Sequence, residues 1–91
     1  MGHEEAGEAA DPLFLSARGA LAQVLGVEAE AIQPETNIAE DLDADSLDMI
    51  EVAQLLEDEH DVKVDQKDLR GIKTVGDVVS YLGKLTGVEP Q

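Results

Sequence analysis

A chain of 91 residues makes one domain, near the lower limit of size for folding without crosslinks. It has no cysteine and a formal net charge of −15. This excludes disulfides and thiolate metal sites, and argues against binding to nucleic acid or anionic membranes. No apolar run approaches the roughly 18 residues of a membrane span, and the acidic N-terminal stretch fits neither a signal nor a transit peptide. The expectation is a cytoplasmic monomer that seeks cationic partners and does not insert into membranes.

Residues 1–10 are small and acidic with no apolar period, and are expected to form a disordered tail ahead of a domain over residues 11–86. Asp11-Pro12 pairs an N-cap with proline at the first helical position. Phe14, Ala17, Leu21, Val24 and Leu25 then recur at helical spacing and should bury one face, and Gly26 should end this helix. Val27 to Ala44 is expected to be a long connection, anchored by Val27, Ile32, Ile38 and Leu42.

The next helix should begin at Asp45-Ser46. Asp45 is a good N-cap, with Asp48 three residues on, so Ser46 falls at the first helical position. Its hydroxyl would lie near the positive end of the helix dipole, beside backbone N–H groups without intrahelical partners. An anion carried on that oxygen would be well placed. A serine nucleophile needs an adjacent general base, and no histidine is near in sequence. This serine therefore looks like an attachment point rather than a catalyst, and the protein is expected not to be an enzyme.

With Ser46 at zero and about 100° per residue, Met49, Val52, Ala53, Leu56 and His60 fall on one face between about 240° and 340°. That is a core stripe. Leu47, Ile50 and Gln54 fall at about 40° to 100°, a second stripe flanked by Glu51, Glu57 and Asp58. A helix that buries one face rarely needs two apolar stripes, so the second reads as a surface for a partner. The charge distribution agrees. From Glu35 to Asp61 there are eleven acids and no lysine or arginine, and five of the six basic residues sit at or beyond Lys63.

Val62 and Val64 suggest a short extended segment, and Asp65 to Arg70 a helical turn presenting Leu69, with Ile72 after it. Thr74 and Asp77 form another capping pair, opening a last helix over about Val75 to Leu85. Gly87 to Gln91 should fray. The fold class is all-α, a small antiparallel bundle of three main helices plus one short helix.

Asp45-Ser46-Leu47, with Asp41-Leu42 before it and an acidic amphipathic helix after it, resembles the modification site of acyl carrier proteins. The resemblance runs from about Leu13 to Leu85. It includes Leu25-Gly26-Val27, Pro34-Glu35-Thr36, Glu40-Asp41-Leu42, Glu57-Asp58-Glu59 and Thr74-Val75-Gly76-Asp77. It implies that Ser46 carries a covalent 4′-phosphopantetheine arm holding acyl groups as thioesters. The implied partners are a phosphopantetheinyl transferase and acyl-processing enzymes with basic docking patches. These would recognise Asp45, Leu47, Asp48, Ile50, Glu51, Gln54 and Glu57. Met49, Val52, Leu56, Leu69 and Ile72 are the expected lining of an acyl pocket inside the bundle.

The aspartate before Ser46 points to fatty-acid or polyketide carriers. A dedicated carrier for short, amino-acyl or hydroxyacyl groups is the alternative. Four positions depart from the usual pattern: Asp43 replaces a glycine, Ile38 an aromatic, His60 a phenylalanine and Asp65 a proline. His60 is expected to be partly buried and hydrogen-bonded at a helix end. Asp41-Leu42-Asp43-Ala44-Asp45 also resembles the start of an EF-hand calcium loop. Ser46 and Val52 then stand where that loop needs its glycine and glutamate. An unmodified interaction domain is the third reading.

Overall fold

The computed structural model describes residues 12–87; the expected tail at residues 1–10 and the end beyond Gly87 lie outside them. Three long helices dominate, α1 (Pro12–Leu25), α3 (Ser46–His60) and α5 (Val75–Thr86). Two short ones, α2 (Ile38–Leu42) and α4 (Gln66–Leu69), lie in the connections, with a 3₁₀ turn at Ala29–Ala31. Helix α1 packs against both α3 and α5. Ser16, in the first turns of α1, meets His60, the last residue of α3, so these two helices run in opposite directions.

The burial pattern follows helical periodicity. Leu13, Ala17, Ala20 and Leu21 of α1, Val52 and Leu56 of α3 and Val75, Val78, Val79 and Leu82 of α5 form one apolar core. Of the face expected for α1, Ala17 and Leu21 are fully buried and Phe14, Val24 and Leu25 pack partly buried against the core, which Leu13 and Ala20 join; Phe14 lies under the Arg18 guanidinium, 5.3 Å from the ring centroid. A cation over a ring face is weakly attracted to it. Ser16 Oγ and His60 Nε2 lie 2.8 Å apart, so the partly buried His60 ring at the end of α3 has a hydrogen-bond partner.

The expected long loop from Val27 to Ala44 is more ordered than its composition suggests. Gly26, at φ +70, closes α1 by donating from its N–H to Ala22 O, a left-handed cap that glycine adopts without a Cβ clash. Ile32 and Ile38 are fully buried anchors, and Val27 and Leu42 pack against the core. Helix α2 arises from its own caps: Asn37 Oδ1 accepts from Glu40 N, and Asp41 Oδ2 accepts from Asn37 N, each at 2.9 Å. Asn37 and Thr74, the N-caps of α2 and α5, also form an isolated backbone bridge. Around it, Ile38 N donates to Lys73 O, Val75 N to Thr36 O and Gly76 N to Pro34 O, at 2.8–3.0 Å. A Cβ on Gly76 would sit 3.2 Å from Pro34 O, so the two segments approach this closely because residue 76 has no side chain.

Asp43 ends α2 in the left-handed region (φ 59, ψ 35). This explains the glycine expected there: an L-residue is disfavoured in that region, aspartate less than most. Asp43→Gly should therefore raise stability by about 0.5–1 kcal/mol, measured as a higher urea midpoint. An unchanged or lower midpoint would mean that the left-handed turn carries no strain.

Candidate functional site

Helix α3 begins as expected. Asp45 Oδ1 accepts from Asp48 N at 2.9 Å, and Asp48 Oδ2 accepts from Asp45 N at 3.1 Å, a complete capping box. The box holds the first turn in place, and Ser46, the next residue, is exposed. Its hydroxyl sits at the N-terminal end of a 15-residue helix, the end favourable to negative charge. His60 is at the opposite end of α3, about 21 Å along the axis by helix rise, and is bonded to Ser16. It provides no base for this hydroxyl.

Ser46 opens onto a groove of about 630 Å³ between α2, the start of α3 and α4. Ile38, Met49, Ile50, Leu69 and Ile72 form its apolar side, and Lys67 and Arg70 reach it from α4 and its C-cap. These two cations were missed in the sequence because nothing local brings residues 67 and 70 to residue 46. Among the described residues neither forms an ion pair. Beside it lies a small cavity of about 20 Å³ between α3, α4 and α5. It includes all five expected pocket residues, Met49, Val52, Leu56, Leu69 and Ile72, and adds Ala53, Val64, Val78, Tyr81 and Leu82. Groove and cavity share Met49, Leu69 and Ile72. These three side chains therefore separate the serine from the interior.

The expected recognition residues divide into two sets. Leu47, 63% exposed, Glu51 and Gln54 stand free on the surface. Ile50 is half-buried along the groove. Asp45 and Asp48 are engaged in the capping box, and Glu57 Oε2 accepts from Val64 N at 2.7 Å, stapling the α3–α4 connection. Asp41 and Asp45 of the calcium-like stretch cap different helices. Among the described residues no three His, Asp or Glu side chains converge as metal ligands.

Beyond the groove, Asp77 Oδ2 accepts from Lys73 N and Thr74 N, and those bonds hold its carboxyl below the usual range. Tyr81 donates to Asp68 Oδ2 at 2.6 Å and accepts from Asp65 N at 3.2 Å. Partial burial, with the neighbouring Asp68 carboxylate, pushes its phenol above the ordinary value.

The bundle, with an exposed serine at the start of its central helix above an apolar cavity, has the build of a carrier domain. The family model described as "Phosphopantetheine attachment site" matches residues 17–82. The chain belongs to the acyl carrier protein family. It is 46% identical over 69 residues to the meromycolate extension acyl carrier protein of Mycobacterium leprae (strain TN), covering 76% of this chain and 60% of that protein. It is 45% identical over 69 residues to the protein of the same name from Mycolicibacterium aurum, with 76% and 71% covered. Against the acyl carrier protein of Syntrophobacter fumaroxidans it is 45% identical over 64 residues, 70% of this chain and 79% of that one. The chain thus spans less than two thirds of the length of the Mycobacterium leprae relative. Among the described residues no helix is long and apolar enough to cross a membrane.

Proposed function

We propose that Ser46 is the residue that carries 4′-phosphopantetheine, and that the protein carries acyl groups for fatty-acid-type synthesis, acting as a carrier rather than a catalyst. The relatives named for acyl carriage and meromycolate extension support this reading. The observation that carries it is the exposed Ser46, set by the capping box and opening onto a groove lined by apolar side chains together with Lys67 and Arg70. The group fits that groove: Lys67 and Arg70 offset the charge of a phosphodiester, and Ile50, Met49 and Leu69 suit an alkyl arm. Once attached, the arm supplies a thiol on which acyl groups travel as thioesters.

The chain's own residues position and protect. Asp45 and Asp48 pin the first turn. Leu47 and Ile50 offer apolar contact beside the serine, and Glu51 with the surrounding acids attracts a basic partner. The apolar cavity is the shelter for the acyl chain, reached past Met49, Leu69 and Ile72. The partners we propose are a phosphopantetheinyl transferase and acyl-processing enzymes with basic docking patches, met by a monomer in the cytoplasm. A domain bounded near residues 11 and 86 goes with this reading.

Incubation with coenzyme A and a transferase should add the mass of one phosphopantetheinyl group to the wild type. Ser46→Ala should keep the helical circular dichroism of the parent and gain no mass. Modification of that variant would place the arm elsewhere.

A further inference from the structure

The cavity between α3, α4 and α5 is small. At about 20 Å³ it has room for one water-sized body, so no chain of several methylenes enters unless a wall moves. Protein interiors are close-packed and do not stretch gradually. Two of the walls, α3 and α5, are long and pack against α1. The remaining wall, α4, has four residues, of which Gln66, Lys67 and Asp68 are exposed and Leu69 is half-buried. Helix α4 is therefore the wall that yields.

Tyr81 opposes that movement. Its ring lines the cavity from α5, and its hydroxyl reaches across to α4. It donates to Asp68 Oδ2 at 2.6 Å and accepts from the backbone N–H of Asp65, the N-cap of α4, at 3.2 Å. The second bond needs an N–H at residue 65, which a proline would not supply. Among the described residues, these are the hydrogen bonds that tie α4 and its cap to another helix.

We propose that Tyr81 is a specificity-determining latch: it holds α4 over the cavity, so that only acyl chains long enough to offset its two hydrogen bonds displace α4 and enter. Shorter groups stay on the arm, in the groove beside Ser46. This rests on Ser46 being the attachment residue and on the cavity being the shelter. It adds a length threshold and the residue that sets it.

The test is a series of acyl forms of the holo-protein, from acetyl to dodecanoyl, with loading confirmed by intact mass before melting temperatures are read. In the wild type the melting temperature should be flat for the shortest groups and rise beyond an onset length. In Tyr81→Phe the unloaded protein should melt lower, and the onset should come about three to five methylenes earlier, the number whose burial matches the two lost hydrogen bonds. Asp68→Ala, which keeps the tyrosine ring, should move the onset the same way.

Curves lowered in parallel, with the onset unmoved, would make Tyr81 merely structural and overturn the latch. A wild-type curve indifferent to chain length would overturn latch and shelter together, while the mass gain would still stand for Ser46. Failure to load would be seen in the mass alone, and would remove the reading on which the latch rests. Should either variant melt too low for the series, amide exchange in the unloaded protein decides. Exchange at Leu69 and Ile72 should quicken relative to that at Val79 and Leu82, and an unchanged ratio overturns the proposal.

Discussion

Ile32→Ala should lower the stability of the domain by about 2–5 kcal/mol, as large-to-small changes at sealed sites do. Ile32 belongs to the connection between α1 and α2, where loop residues ordinarily tolerate change. Here its side chain is fully enclosed in the same cluster as Leu21, Leu56 and Leu82. Truncation removes apolar burial and leaves a void that the surrounding helices cannot close, because α1 is already packed against both α3 and α5. In a domain this small, each kcal/mol moves the melting temperature by about 4–8 °C. The variant should therefore melt at least about 8 °C below the parent. Self-repulsion from a net charge of −15 leaves little reserve against such a loss. Leu47→Ala is the comparison: Leu47 is 63% exposed, and its loss should change stability by no more than about 0.5 kcal/mol. Urea midpoints at constant slope measure both. Equal effects of the two would mean that the connection is not part of the core.

Glu51→Lys should slow association with the modifying transferase by about tenfold at low salt, and flatten the salt dependence of that rate. Glu51 is exposed and, among the described residues, its side chain forms no hydrogen bond or ion pair. Its reversal changes the field in front of a partner without disturbing the fold. Asp48 and Glu57 are poorer choices, since one completes the capping box and the other staples Val64. Ile50→Ala should act mainly on dissociation, because a buried apolar contact holds a complex that charge has assembled. The control is Glu59→Lys, exposed on the same helix about 12 Å beyond Glu51 and about 20 Å from Ser46 along the axis, beyond the screening length of about 10 Å at 0.1 M salt. Stopped-flow measurement over a range of sodium chloride separates the cases. Equal slowing by both reversals would mean that the partner responds to net charge, with no docking face on α3.

What could be read from the sequence was whatever local rules govern. Asp45 with Asp48 and Thr74 with Asp77 cap their helices through neighbours three residues away, and the spacing alone reveals them. The inner stripe of α3 follows from a period of 3.6, and the five expected pocket residues do converge on one cavity. Helix α2 escaped notice because five residues hold too little periodicity, although Asn37, Glu40 and Asp41 stand at capping distances. The left-handed turn at Asp43 had a signal, an aspartate where a glycine is usual. The groove cations and the staple of Glu57 had none, since Lys67, Arg70 and Val64 meet their neighbours only through the tertiary fold. Tyr81 offered a partial clue. A phenol on an otherwise apolar helix face has a hydroxyl that must find a partner, but which partner depends on where α4 comes to rest.

The backbone bridge between Asn37 and Thr74 sets an order of events. The segment that leads to Ser46 draws the N–H groups of Ile38, Val75 and Gly76 into its hydrogen bonds, across a separation of nearly forty residues. While a ribosome is still making the chain, Ser46 emerges long before Val75, and its platform has no partner to close on. The polypeptide then presents Asp45-Ser46-Leu47 as a loose tripeptide, and the surface around it does not yet exist. Only when the last described helix has docked do serine, groove and acidic rim take fixed relative positions. A partner that docks on that surface would therefore meet it only on the folded domain, because the bonds that fix it close only with α5 in place.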